Sequence, residues 1–170
     1  MSNLEDIAHA KVQAVVTRRL DALTTTIVTI REEMNGRGLL HSSMTATKIH
    51  EKCISLFDEI RDDMKVEYGI VLDNVLWPTE SLGNHLVSKA IHHLDIVANR
   101  ANCEIQNATQ NLMNSNIHKQ LCNDVTIAKN RALTDLSLFI DGHSKIQIRK
   151  KLVRAIIYFP KLILSLIKLK

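Results

Sequence analysis

Arginine and histidine side chains around a glycine-rich loop are the residues of this chain best suited to chemistry. The stretch RGLLHSSMTATKIHEK, residues 37–52, contains Arg37, His41 and His50 together with two serines. Backbone N–H groups at a helix N-terminus bind anions, so this stretch could form an anion site or a small catalytic site. We expect instead a capped loop with solvated polar side chains, and keep these three residues as weak catalytic candidates.

Metal binding is the second chemistry that eight histidines suggest. His92 and His93 are adjacent, and adjacent side chains on a helix do not face the same ion. Bundle metal sites use Glu-x-x-His pairs, and neither this pattern nor HExxH occurs. The three cysteines form no CxxC pair. We therefore predict no metal and no other cofactor, and expect the histidines at surface or boundary positions.

Other catalytic motifs are missing from the sequence. There is no phosphate-binding loop, no dinucleotide-binding glycine motif and no nucleophile elbow. No small-molecule substrate is evident. The chain has only six aromatic residues, so platforms for stacking bases or sugars are scarce.

Long helices must position whatever site exists. Apolar residues recur at alternating spacings of four and three, which is typical of helices that pack along one seam. The first helix is predicted from about Asn3 to Asn35. Its apolar seam contains Val16, Leu20, Leu23, Ile27, Ile30 and Met34. The seam of the third helix contains Val87, Ile91, Leu94, Ala98, Ala101 and Ile105.

Capping residues predict where the other helices begin and end. Ser42, Ser43 or Thr45 can cap the second helix, and the Pro-Thr pair at 78–79 suits the start of the third. The polar residues 114–116 indicate a break before the fourth helix. Gly142 is predicted to end the fourth helix, and Ser144 to cap a separate helix after it.

These elements predict an all-α fold, an elongated antiparallel helical bundle of four long helices with a basic apolar C-terminal helix. We assign residues 1–143 to the bundle domain and 144–170 to the cationic amphipathic helix. Helices of about 30 residues span roughly 45 Å, which is long for one small globule. We therefore expect a homo-oligomer.

Charge is divided unevenly along the chain. Residues 142–170 carry eight Lys and Arg and no acid, whereas residues 1–141 carry fourteen Lys and Arg against eighteen Asp and Glu. The body thus has a net charge of −4 and the tail +8. A negative body makes nucleic acid an unfavourable partner, since phosphate binding needs clustered cations.

The tail itself has the pattern of an interfacial helix. Four of its cations are separated by four, seven and seven positions, so they share one helical face, while a wide apolar sector covers the rest. A simple transmembrane span is unfavourable, because Lys161 near the bilayer centre costs about 2.5–3.5 kcal/mol. The residues predicted to bind a membrane or a partner are Arg149, Lys150, Lys151, Arg154, Ile156, Ile157, Phe159, Lys161, Ile163, Leu166, Ile167 and Lys168.

The leading hypothesis is a non-enzymatic protein whose tail engages or perturbs an anionic membrane, for example a toxin-like or defence effector. The first 12 residues contain no apolar run typical of a signal peptide, so we expect a cytoplasmic protein, peripheral on or inserted into the inner face of a membrane. The alternative is a structural or adaptor subunit that buries its helices against a protein partner or a second copy. A helical nuclease-like enzyme is third, because three residues separate Arg37 from His41 where such enzymes have a longer spacing.

Overall fold

The fold is an all-α bundle of four helices packed against each other. The computed structural model describes residues 2–75, 77–112 and 115–167, with side chains for 4–75, 77–112 and 116–153. Helix α1 spans Ser2–Gly36, α2 Ser43–Asn74, α3 Glu80–Thr109 and α4 Ser115–Ile167. The described residues contain no strand. The predicted fold class is therefore confirmed.

Local capping sets the helix starts where the sequence predicted them. The Ser42 hydroxyl accepts a hydrogen bond from the Thr45 backbone N–H at 3.3 Å. The Thr79 hydroxyl accepts one from the Leu82 N–H at 3.2 Å and so begins α3. Each cap satisfies one backbone donor that the first helical turn leaves free.

Ion pairs between neighbouring helices show the direction of each helix. Lys11 of α1 pairs with Glu67 of α2 at 3.5 Å, and Lys48 near the start of α2 pairs with Glu33 near the end of α1 at 3.4 Å. These two helices are therefore antiparallel. Lys129 of α4 contacts Asp95 of α3 at 2.9 Å.

The packing order follows from which helices touch. Helix α1 packs on α2 and α3, and α4 packs on the same two helices from the other side. Within the described ranges, α1 and α4 do not contact each other. Helix α2 ends at the end of the bundle where α3 begins, and α4 runs parallel to α2 and continues past this end to Ile167.

The core contains the predicted seams, with one correction in α3. Residues such as Ile27, Ile60 and Ile105 are fully buried. Ile91, which we assigned to the α3 seam, is 40 % exposed. The core face uses Leu86 and Ala90 instead, because a heptad-like pattern on α3 fits two adjacent registers and the contact with α1 and α2 selects one of them.

Helix α4 continues through the predicted boundary. The helix contains Gly142 and Ser144 at interior positions, so the predicted helix end at Gly142 and the predicted cap at Ser144 are wrong. A glycine inside a helix costs about 1 kcal/mol relative to alanine, which packing of the flanking turns overcomes. The basic apolar segment is thus the C-terminal part of α4, and the division into two domains stays a prediction.

Replacing Gly142 by alanine is expected to stabilise the protein by up to about 1 kcal/mol, because it removes the helix-interior glycine penalty. A Cβ at this position meets nothing within 4 Å. The matched control is Gly38→Ala, which should destabilise by about 1 kcal/mol or more because Gly38 has a φ of +70°. Urea unfolding measures both, and destabilisation by Gly142→Ala would contradict the continuity of α4.

Candidate binding site at the C-terminal end of the bundle

Helix α4 leaves the core before its basic segment, residues 144–167, begins. Its inner residues Val125, Ala132, Leu136 and Ile140 are all at most 2 % exposed. From there to Val153, no described side chain of α4 is fully buried. The basic segment therefore follows the last turn of α4 that belongs to the core.

Three hydrogen bonds join α4 to the end of α2 at the position where α4 leaves the core. The Asp73 carboxylate of α2 accepts hydrogen bonds from His143, at 2.8 Å, and from the Gln147 amide. One turn later, the Lys151 ammonium donates to the backbone carbonyl of Val75, just after the last residue of α2. A cation at this place is favourable because the C-terminus of a helix carries partial negative charge.

Exposed cations follow on the outer side of the same helix. Arg149 and Lys150 are both exposed. Among the described residues, no hydrogen bond or ion pair engages either side chain, whereas Lys145 one turn earlier pairs with Asp141 at 2.6 Å. Since no acid follows Asp141 in the sequence, these two charges are left to attract an external anion.

Exposed apolar side chains collect around the same end. The described part of the chain has thirteen exposed large hydrophobic side chains, and seven of them lie within about two helical turns of this end. Trp77, in the connection between α2 and α3, is the only tryptophan of the chain and is 42 % exposed. The other six are Leu4, Ile7, Ile70, Ile146, Leu152 and Val153.

Most of the predicted tail residues lie beyond the described side chains. Helix α4 includes positions 154–167, but side chains there are not described. The predictions for Lys168 fall outside the described residues altogether. Those for Arg154, Lys161 and the apolar positions rest on the sequence and on the helical backbone, and the affected residues are Arg154, Ile156, Ile157, Phe159, Lys161, Ile163, Leu166 and Ile167.

The three weak catalytic candidates each have a different partner. Arg37 pairs with Glu33 at 2.8 Å, and His50 lies 3.5 Å from Asp124. His41 is 3.2 Å from the Asn111 amide. No hydrogen bond or ion pair joins the three candidates to one another in the described ranges.

A residue that the sequence did not indicate shares a cleft with His41. The two line a cleft of about 280 Å³ at the opposite end of the bundle, and this residue is Arg31. Its guanidinium donates to the buried Glu104 carboxylate at 3.2 Å, and Arg100 also contacts Glu104, at 2.9 Å. Because Glu104 is held by two arginines, Arg31 serves first to compensate a buried charge.

His93 differs from the expectation for the histidines. It is completely buried between α1 and α3, whereas the adjacent His92 is exposed. Its Nε2 lies 3.1 Å from Nδ1 of His9, and its Nδ1 has no partner within the described structure. Burial lowers the pKa of His93 to about 4, and the charges of His9, His92 and Lys89 act in the same direction. One ring must donate and the other accept, so this contact favours neutral imidazoles.

The described residues contain neither a metal-binding cluster nor a membrane-spanning helix. Within them, no group of three or more His, Cys, Asp or Glu side chains is placed to hold a metal ion. No helix in this part of the chain is both long and apolar enough to cross a membrane.

The apolar end of the bundle was not recognised from the sequence. Residue 151 is more than 70 positions from residues 70 and 77 along the chain, and the topology alone brings it to the same end. Comparisons of this chain with protein-family models, with curated proteins and with solved structures find no match.

Proposed function

We propose that this protein is a non-enzymatic membrane-directed protein, whose four-helix body holds a basic apolar helix that engages an anionic bilayer. The observation that supports this most is the single helix α4, which passes from the core into the basic segment without a break. A rigid connection transmits the orientation of the body to the segment, which a flexible linker would not do.

The energetics of the segment favour a membrane surface. Lysine and arginine near an anionic surface each contribute about 1 kcal/mol, and Arg149 and Lys150 are exposed without an internal partner. The apolar residues that follow them can bury in the interfacial region of the lipid, each large aliphatic side chain adding about 1.5–3 kcal/mol when fully covered. Electrostatic attraction and apolar burial therefore act together on adjacent turns of one helix.

The proposed site of action is the inner face of a membrane, reached from the cytoplasm. Co-sedimentation of the full chain with vesicles tests this. Binding is expected with vesicles that contain phosphatidylserine and much less with pure phosphatidylcholine, and leakage of a trapped dye would extend the function from binding to perturbation. Equal, negligible sedimentation with both vesicle types would reject the proposal.

A second candidate is a structural or adaptor subunit, and the exposed apolar side chains at the end of the bundle support it as well. Leu152 and Val153 on α4 could pack against a second copy or another protein. Light scattering in detergent-free buffer distinguishes the two proposals. A defined oligomer that does not bind vesicles favours the subunit, and a vesicle-binding chain favours the membrane function.

A further inference from the structure

The end of the bundle that carries the basic segment has two chemically different sides. On the side formed by α1 and α3, Asp6 of α1 is an exposed acid that has no hydrogen bond or ion pair among the described residues. A surface with uncompensated carboxylates is repelled by anionic lipid. A carboxylate without a partner makes contact with an anionic bilayer less favourable on this side than on the other side of this end.

The side formed by α2 and α4 has its acids engaged. Asp73 accepts hydrogen bonds from His143 and Gln147, and Asp141 pairs with Lys145. Both acids on this side thus have partners within the protein, and Lys145 neutralises Asp141.

Trp77 lies beside the cations of this side. Lys151 donates to the Val75 carbonyl, and Trp77 follows Val75 by two residues, which places it at most about 7 Å along the chain from that contact. Ile70 lies one turn before the end of α2 and is exposed to the same extent as the indole, 42 %. An indole, exposed aliphatic side chains and cations without internal partners therefore lie at the end of α2 and on the adjoining turns of α4. We call this end the α2–α4 rim and define it by Ile70, Trp77, Ile146, Leu152 and Val153.

We propose that the α2–α4 rim is a second membrane contact, distinct from the C-terminal segment, and that it fits the headgroup region of an anionic bilayer. Tryptophan prefers the boundary between lipid and water, because its ring is apolar and its N–H needs a polar partner. The neighbouring Arg149 and Lys150 supply the charge that anionic headgroups complement. The rim and the basic segment of α4 then contact the same bilayer. This inference rests on the proposed membrane function.

Trp77 reports on the contact directly, because it is the only tryptophan. When the full chain is added to vesicles containing phosphatidylserine, its emission is expected to shift to the blue and its quenching by acrylamide to decrease. A chain that sediments with the vesicles while its emission and quenching stay unchanged would overturn the rim contact and leave the proposed function intact. A chain that does not sediment at all would overturn both.

A reporter at the opposite end provides a control for non-specific adsorption. Met44 is exposed at the start of α2, at the opposite end of the bundle. The double variant Trp77→Phe, Met44→Trp therefore moves the single indole from the rim to this opposite end, from one exposed position to another. Its emission is expected to stay unchanged on vesicle binding. An equal blue shift at both positions would contradict contact through the rim.

A matched pair of substitutions measures how much the rim contributes to vesicle affinity. Ile70→Ala removes rim surface, while Ile91→Ala removes the same side chain from the middle of α3, where it is exposed to a similar extent, 40 %. Burial of part of one isoleucine predicts about five-fold weaker vesicle binding for Ile70→Ala. Ile91→Ala should leave binding unchanged, and equal effects of the two variants would reject the rim.

Discussion

Replacement of Arg149 and Lys150 together by glutamine is expected to weaken binding to anionic vesicles by about 30-fold at low salt, since each charge contributes about 1 kcal/mol and 1.4 kcal/mol corresponds to a factor of ten. Both side chains are exposed and have no partner in the described structure, so the fold should be unaffected. Vesicle titration at two salt concentrations measures the change. Higher salt should reduce the difference between variant and parent, because it screens exposed charges.

The control removes two charges elsewhere. Arg18 on α1 and Lys119 near the start of α4 are exposed cations that lie away from the basic end. Their joint replacement by glutamine changes the net charge by the same amount and should leave vesicle affinity almost unchanged. If both double variants lose the same affinity, binding depends on total charge and not on this segment.

Acidification is expected to destabilise the protein through His93. The group has a folded pKa of about 4 against 6.5 in the unfolded chain. The contribution of neutral His93 to the free energy of unfolding is therefore fully present above pH 6.5. It decreases as the pH falls from 6.5 and is lost near pH 4. The full loss corresponds to roughly 3 kcal/mol.

The variant His93→Leu isolates this contribution. It fills the buried position without a titratable group, and the partly exposed His9 can turn its free nitrogen to water. Urea unfolding at pH 7 and pH 4 should show an acid-induced loss of stability that is smaller in the variant by about 3 kcal/mol. The exposed His41→Gln serves as the control and should retain the parent's loss, and a His93→Leu chain with that same loss would show that His93 is not the acid-sensitive group.

The sequence predicted those features of the fold that depend on neighbouring residues, such as the starts of α2 and α3. The caps at Ser42 and Thr79 depend on residues three positions apart, so the sequence contains all the information they need. Gly142 was misjudged because the packing that keeps it helical comes from another element. The ring of Phe139 lies within 3.5 Å of a Cβ built at Gly69 on α2, and His143 is held by Asp73.

The site was less predictable than the fold because it depends on topology. The sequence gives no sign that Trp77 lies near Lys151, since their proximity requires α2 and α4 to be parallel neighbours with the end of α2 beside residue 151. The burial of His93 was missed for a related reason. Its position and that of Ile91 fit alternative faces of α3, and only the packing of α3 against the other helices decides which face is buried.

The place at which to truncate the chain also follows from the structure. Gln147 and Lys151 contact α2, so a deletion that begins at residue 145 would remove contacts of the body along with the tail. A deletion of residues 154–170 leaves every described side-chain contact in place.

The most direct test of the proposed function compares the full chain with this truncated chain in co-sedimentation with phosphatidylserine-containing vesicles. Circular dichroism and urea unfolding first establish that the truncated body remains folded. The account predicts that the full chain sediments with the vesicles and that the truncated chain, which lacks the apolar segment, binds far more weakly. Equal sedimentation of the two folded chains would contradict it.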